Sequence, residues 1–288
     1  MWTEFNKNII FISDMHILGE NPICRTDNLV EEQDNKLEFI INFANENKAI
    51  ILNSGDQTDT PRNFISFYKL SSHLKNLKEK MYCCLGQHDK YMRTKNESST
   101  NLLIKLDQMT KLSKDPIKIE NFFLYGCDFE DEVPEPTTNN NILVIHDSIT
   151  TKELAIKNVE FKEAEEFLEK HKKYDIIICG DIHRRFFIEK NKRVIMNSGP
   201  ILRKDASNYF LDYAPSFFFY NKDKGDISLI EIPHKKNVIS RTHLELKEKR
   251  ERNIIFDIGE SKKNIDKLIL NKIKKEKSWK ELKKIIFD

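Results

Sequence analysis

The chain has 288 residues, 48 Lys+Arg against 46 Asp+Glu, a formal charge of +2, and 39% hydrophobic residues that include 19 Phe. A chain of that length and apolar content buries a sizeable core. Its nearly balanced charge excludes a histone-like polycation, and its Phe and Ile content excludes an acidic disordered regulator.

No stretch reaches the roughly 18 uncharged apolar residues a membrane span requires, and Met1-Trp2-Thr3-Glu4 lacks a basic, then apolar, leader. A cytoplasmic location without membrane attachment is therefore expected. The five cysteines, Cys24, Cys83, Cys84, Cys127 and Cys179, form no C-x-x-C pair, and four stand in or beside apolar runs. They read as reduced, partly buried thiols.

In chain order, the short apolar runs Asn8–Ser13, Ala49–Asn53, Met81–Leu85, Asn141–Ile145 and Asp175–Cys179 read as buried strands. Amphipathic segments near 33–47, 61–79 and 152–172 read as helices on the faces of that sheet, which is α/β layering. Pro61 suits a first helical turn capped by Thr58, Asp59 or Thr60, and Ile117–Ile119 with Phe122–Tyr125 looks like a strand pair. The Pro-, Asn- and acid-rich Asp131–Asn141 reads as a surface loop. From 186 the pattern turns to antiparallel strands: Phe186–Glu189, Arg193–Asn197, Ser216–Tyr220 and Asp226–Ile230, the last two joined by a hairpin through Asn221–Gly225. Beyond 242 the chain reads as helical, with one apolar stripe at Ile265, Leu268, Ile269 and Ile273 and another at Trp279, Leu282, Ile285 and Ile286. This tail, 241–288, holds 15 Lys+Arg against 9 Asp+Glu, a balance of +6, while the rest carries −4. It either attracts phosphate polymers or is a solvated lysine face.

In open α/β sheets, ligands collect beyond the carboxyl ends of the strands. Here those ends read Asp14-Met15-His16, Gly55-Asp56-Gln57-Thr58-Asp59, Gly86-Gln87-His88-Asp89, His146, and Gly180-Asp181-Ile182-His183. Any one of these is explained by a cap or a turn. Five consecutive strands ending in carboxylate, imidazole or amide groups point instead to a site for hard or borderline divalent ions.

The order and spacing resemble the calcineurin-like metallophosphoesterase superfamily, which reads D-x-H, G-D-x-x-D, G-N-H-D, H and G-H-x-H, and the resemblance covers about residues 8–203. More narrowly, Ser13–His16, Gly180–Arg185 and Asn197–Arg203 look like the SbcD-type DNA nuclease subunit, which works beside an SbcC-type ATPase. Pro215–Tyr220 and Ile232–His234 are similar to that subfamily's later region.

The resemblance implies a sandwich of two mixed β-sheets flanked by helices, with a catalytic core over 1–203. A β continuation or small cap would follow over 204–240, and then the basic helical tail. It further implies a first metal on Asp14, His16, Asp56 and His183, and a second on Asp56, Gln87, His146 and Asp181. Gln87 stands where the pattern has Asn, and Asp181 where it has His. Both departures fall on the second metal. They favour Mn²⁺ or Mg²⁺ over Zn²⁺, with Fe²⁺ also admissible, or else weaken that site.

His88 is carried over as the non-ligand histidine that assists the leaving group, and Asp89 as its neighbour, orienting it or pairing with Lys90 or Arg93. Asp59 is expected to orient ligands. Arg184, Arg185 and Arg203 are expected to hold substrate phosphates. The implied activity is a metal-dependent DNA nuclease with DNA, an SbcC-type ATPase and a second copy of the chain as partners. A small-molecule phosphodiesterase or phosphatase and a non-catalytic scaffold are the rival expectations.

Overall fold

The structure is a computed structural model that describes residues 5–92, 97–247 and 249–250. Its internal contacts divide the chain into Met1–Ile239 and Ser240–Asp288. In the second unit residues 242–247 are helical, and the apolar stripes expected at Ile265–Ile273 and Trp279–Ile286 lie outside the described residues.

The first unit runs β1 (Ile9–Ile12), α1 (Leu29–Glu46), β2 (Ile50–Asn53), α2 (Phe64–Leu74), β3 (Met81–Cys83), α3 (Ser99–Lys105), β4 (Thr110–Lys111), β5 (Ile117–Ile119) and β6 (Phe122–Cys127). It continues through β7 (Asn141–His146), β8 (Ile149–Thr150), β9 (Lys162–Glu163), α4 (Ala164–Lys170), β10 (Ile176–Gly180), β11 (Phe186–Lys190), β12 (Arg193–Asn197), α5 (Asn208–Leu211), β13 (Ser216–Asn221) and β14 (Asp226–Glu231). One six-stranded sheet has the order β14-β13-β1-β2-β3-β4 and the other β11-β12-β10-β7-β6-β5. Both are mixed. The strands from β1 to β4 are parallel, and so are β6, β7, β10 and β12, with antiparallel strands at the edges.

The expected α/β sandwich of two mixed sheets is borne out, and the apolar runs explain it. Ile9, Phe11, Ile50 and Leu52 face Leu124, Ile142, Val144, Ile176 and Ile178 in the layer between the sheets. Their neighbours Ile10, Ile12 and Ile51 pack outward with Leu37, Ile40, Ile41 and Leu70 of α1 and α2. Leu143, Ile145, Ile177 and Ile195 do the same with Phe167 and Leu168 of α4. Both faces of each central strand are covered, so the runs are continuous rather than alternating.

Three of the five motif-bearing strands belong to one sheet and two to the other, a division the run pattern alone does not mark. A run buried on both faces carries no label for the sheet it joins. The antiparallel strands divide likewise: β11 and β12 extend the second sheet, while β13 and β14 edge the first beside β1. Residues 216–231 therefore continue the core sheet.

Two helices differ from expectation for local reasons. The helix expected over 61–79 is Phe64–Leu74, capped by Asn63, whose Oδ1 accepts from Ser66 N at 2.9 Å. Pro61 precedes it in a loop, where its carbonyl accepts from Ser99 N at 2.7 Å. The segment near 152–172 is not one helix. After a short 3₁₀ turn at Lys152–Leu154 the chain passes through Asn158 at φ 64°, then pairs Lys162–Glu163 with Ile149–Thr150, leaving only Ala164–Lys170 helical. Among the described residues no helix is long and apolar enough to cross a membrane.

Ile178, fully buried between the sheets, tests this packing. Ile178→Ala is expected to cost about 2–5 kcal/mol, read as a lower denaturant midpoint at unchanged slope; a loss below about 1 kcal/mol would contradict a close-packed inter-sheet layer.

Candidate metal centre

The site forms where the carboxyl ends of strands from both sheets meet. Ser13, just after β1, bonds across to the second sheet: its Oγ donates to Cys179 O at 2.9 Å and its N–H to Ser198 Oγ at 2.8 Å. Asp181 N–H donates to Asp14 Oδ1 at 3.0 Å, and His146 Nδ1 lies 2.7 Å from Ser54 O. These bonds join the two sheets at one edge.

Turning side chains into that edge needs unusual backbone. Asp14 (φ 48°), His16 (φ 44°), Asp56 (φ 53°) and Asp181 (φ 82°) all occupy the left-handed region that non-glycine residues avoid. Strain of this kind persists only where the surroundings hold it, and it collects at functional sites. Asp89 supplies much of the hold. Fully buried, its carboxylate accepts from the N–H groups of Asp56 (2.8 Å), Gln57 (3.1 Å) and Gly86 (3.0 Å) and from Thr100 Oγ1 (2.6 Å).

Among the described residues, three overlapping groups have ligand atoms close enough for one ion: Asp14, His16 and His183; His16, Asp56 and His88; and Asp14, Asp56 and His146. Asp56 is common to two of them. Its Oδ2 lies 3.5 Å from His16 Nε2 and 3.5 Å from His146 Nε2. His16 Nε2 and His183 Nε2 are 3.0 Å apart, and His183 Nε2 is 3.8 Å from Asp14 Oδ1.

The residues fit divalent metal. Asp14 Oδ2 and Asp56 Oδ2 are buried acceptors with no hydrogen-bond partner, which a fold tolerates poorly unless a cation completes them. With Nδ1–H donated to Ser54 O, His146 presents Nε2 to the cluster, the usual arrangement for an imidazole ligand.

The electrostatics agree. Burial pushes Asp14 up to about 7. For Asp56 burial acts upward, but His146, His16 and His88 outweigh it and hold the carboxyl well below the usual range. Burial lowers His16, to about 4, and His183. His146 is the exception: burial acts downward, yet Asp56 and Asp14 raise it to about 10.

The sequence model of the calcineurin-like phosphoesterases matches residues 7–185, a span that contains every group of this cluster. The chain belongs to that family. It is a metal-dependent phosphoesterase. Similar solved structures include an archaeal phosphodiesterase (TM-score 0.44, 14% identity, 78% of this chain and 99% of that one). Others are a putative 5'-nucleotidase from Staphylococcus aureus (TM-score 0.45, 12%, 85% and 58%) and wild-type Vps29 with zinc from Entamoeba histolytica (TM-score 0.37, 14%, 78% and 98%). No curated protein matches the sequence.

Of the residues singled out in the sequence of this phosphoesterase, Asp14, His16, Asp56, His146 and His183 converge as described. Gln87 and Asp181, the two departures from the family pattern, contact each other. Gln87 Nε2 donates to Asp181 Oδ1 at 2.7 Å while its Oε1 lies 2.8 Å from His146 Nε2, and Asp181 Oδ2 accepts from Ser148 Oγ. The added methylene of Gln87 gives the amide the reach to bridge the two. His88 stands at the cluster, its ring 4.7 Å from that of His16 and its Nδ1 2.6 Å from Asp59 O.

Asp89 neither orients the His88 ring nor pairs with Lys90. Its oxygens are occupied by the loop amides and Thr100, and Lys90 turns to Phe129 O. Asp59 contacts His16 Nδ1 through Oδ1 at 3.4 Å and Asp147 pairs with Lys162.

Of the three arginines expected to hold substrate phosphates, Arg185 and Arg203 are engaged otherwise. Arg203 is buried and donates to Lys235 O, so it is unavailable to substrate. Arg185 donates to Ala214 O and Ser216 Oγ, and Arg184 lies over the Tyr209 ring, 4.0 Å from its centroid. Reading the sequence missed Ser13, Ser54, Ser148 and Lys204. Small hydroxyl residues beside strand ends carry no signal of their own, and Lys204 reaches Asp59 only through the fold.

Two outcomes test the centre. A Cβ on Gly86 would fall 2.1 Å from Asp56 Oδ1 and 2.7 Å from His146 Cε1, so Gly86→Ala is expected to cut bound metal by at least about tenfold in affinity, about 1.4 kcal/mol, with circular dichroism unchanged. Undiminished metal content would refute the assignment. Because ligation requires carboxylate and neutral imidazole, loading metal at pH 7 should expel the His146 proton and part of an Asp14 proton. Proton release therefore rises, and affinity falls, as pH drops through 7. Calorimetry in buffers of different protonation enthalpy reads this, and zero net release would contradict it.

Proposed function

We propose that this phosphoesterase is a DNA nuclease that hydrolyses phosphodiester bonds with two divalent cations, manganese foremost, and that it acts in DNA end processing beside an SbcC-type ATPase. The observation that supports the chemistry is Asp56 Oδ2, without a hydrogen-bond partner and 3.5 Å from each of two imidazole nitrogens that belong to different ligand groups. Such a carboxylate suits a bridge between two ions. Bound divalent cations supply Lewis-acid chemistry, polarising phosphodiester oxygens and lowering the pKa of water.

The chain's own residues supply the rest. Asp14, His16, Asp56, His146 and His183 hold the charge of the centre in place. His88, its Nδ1–H fixed by Asp59 O, would in its doubly protonated form give the Nε2 proton to the departing oxygen. Gln87 sets the distance between His146 and Asp181. The finer assignment to DNA rests on the likeness of Gly180–Arg185 and Asn197–Arg203 to the SbcD-type subunit. With it go the expected cytoplasmic location, the ATPase and a pairing of two copies.

The test is digestion of single- and double-stranded DNA by the full chain loaded with Mn²⁺. Degradation abolished by chelation is expected, with His88→Ala slower by about 10²–10⁴-fold. Loaded protein that cleaves a nitrophenyl phosphodiester but no DNA would make it a small-molecule phosphodiesterase. Loaded protein that cleaves neither would make it a non-catalytic scaffold.

A further inference from the structure

A phosphate arriving at two cations still presents anionic oxygens to the surrounding protein, and the structure narrows which side chain meets them. Arg185 and Arg203 are committed to carbonyl and hydroxyl oxygens, and Arg184 is stacked over Tyr209 with Nη1 donating to His183 O at 3.3 Å. Lys90 and Lys162 are held by Phe129 O and Asp147. Lys204 differs. Its ammonium reaches Asp59 Oδ1 at 2.5 Å, and the same carboxylate oxygen lies 3.4 Å from His16 Nδ1. Lys204 is thus one carboxylate away from a candidate ligand.

The position is built rather than incidental. Arg25 Nη1 donates to Arg203 O at 3.1 Å and Cys24 Sγ to Lys204 O at 3.2 Å. Upstream on the same loop, Ser198 O and Pro200 O each accept from Tyr213 Oη at 3.0 Å. The backbone is pinned, so the side chain is delivered to one place. There it remains 20% exposed, as Asp59 is 29% exposed, so solvent reaches the pair. An ammonium has three donors, and among the described residues Asp59 is its one hydrogen-bond partner.

We propose that Lys204 is the residue that binds the substrate's phosphate group at the rim of the metal centre, with phosphate oxygens taking up the donors that Asp59 leaves free. Asp59 then has two tasks, holding Lys204 ready and steadying His16 and, through its carbonyl, His88. This inference rests on the phosphoester-hydrolysing reading of the site, and it needs no particular alcohol on the substrate.

The test uses the full chain loaded with Mn²⁺, inorganic phosphate as probe by calorimetry, and Lys204→Met beside Lys204→Arg. A charge-assisted hydrogen bond is worth about 1.5–3 kcal/mol. Phosphate affinity is therefore expected to fall at least about tenfold in Lys204→Met and to recover most of that loss in Lys204→Arg, with metal content equal in all three. The Michaelis constant for a nitrophenyl phosphoester should rise in parallel, and more than turnover falls.

Wild-type phosphate affinity in Lys204→Met would overturn the assignment. So would loss of metal together with phosphate, since Lys204 would then be a prop for Asp59 and His16, or a loaded wild-type chain that binds no phosphate. Phosphate binding that depends on Lys204 in a chain that hydrolyses no phosphoester would uphold this assignment while refuting the proposed reaction.

Discussion

The structure depends on a cluster of buried ionisable groups left unbalanced by the protein itself. Asp14 and Asp56 are wholly buried and each keeps an oxygen without a hydrogen bond. Burying an ion without a partner is costly, and bringing carboxylates close together adds repulsion. The fold answers with His146, charged between Asp56 and Asp14, and with bonds that lock Asp56 in place: His88 N–H to its Oδ1 at 2.9 Å and Asp89 on its own N–H. What those bonds leave open is the space a cation fills. Metal ligation needs carboxylate and neutral imidazole, so a cation would compete with protons at Asp14 and His146, both of whose pKa values lie above the ordinary range.

That arrangement explains why the surrounding backbone departs from regular geometry. Strands buried on both faces end abruptly at the edge shared by the two sheets, and there Asp14, His16, Asp56 and Asp181 adopt positive φ. Glycine is used where even a methyl group has no room. A Cβ on Gly55, at φ 113°, would lie 2.3 Å from His146 Nδ1. Asp89 ties the loops after β2 and β3 to each other through three amides, and Thr100 of α3 joins the same carboxylate. A residue next to a histidine in the sequence is thus the scaffold of the ligands rather than a partner of that histidine.

The two departures from the family pattern make one local rearrangement. Gln87 alone would carry its amide further into the centre, and Asp181 alone would add another carboxylate beside Asp14. Joined by a hydrogen bond, the amide partly offsets the added charge, and Ser148 takes the other Asp181 oxygen. The rim shows a similar partition. Cations written beside the last motif are used for packing and backbone bonds, while Lys204, one residue beyond Arg203, shares a carboxylate with the centre.

The sequence by itself determined the layering and the kind of chemistry. Runs such as Ile50–Asn53 and Ile176–Gly180 read as strands covered on both faces, and a carboxylate, imidazole or amide at the end of each of five runs points to a hard-ion site. Those properties are local, and local order in the chain displays them. Only the tertiary structure decided which sheet each run joins, because a doubly buried strand has no polar face to mark its neighbours. It also decided the roles of Asp89, Arg203 and Lys204. A charged side chain is defined by the partner it reaches across the fold: loop amides for Asp89, a distant carbonyl for Arg203, and Asp59, 145 positions away, for Lys204.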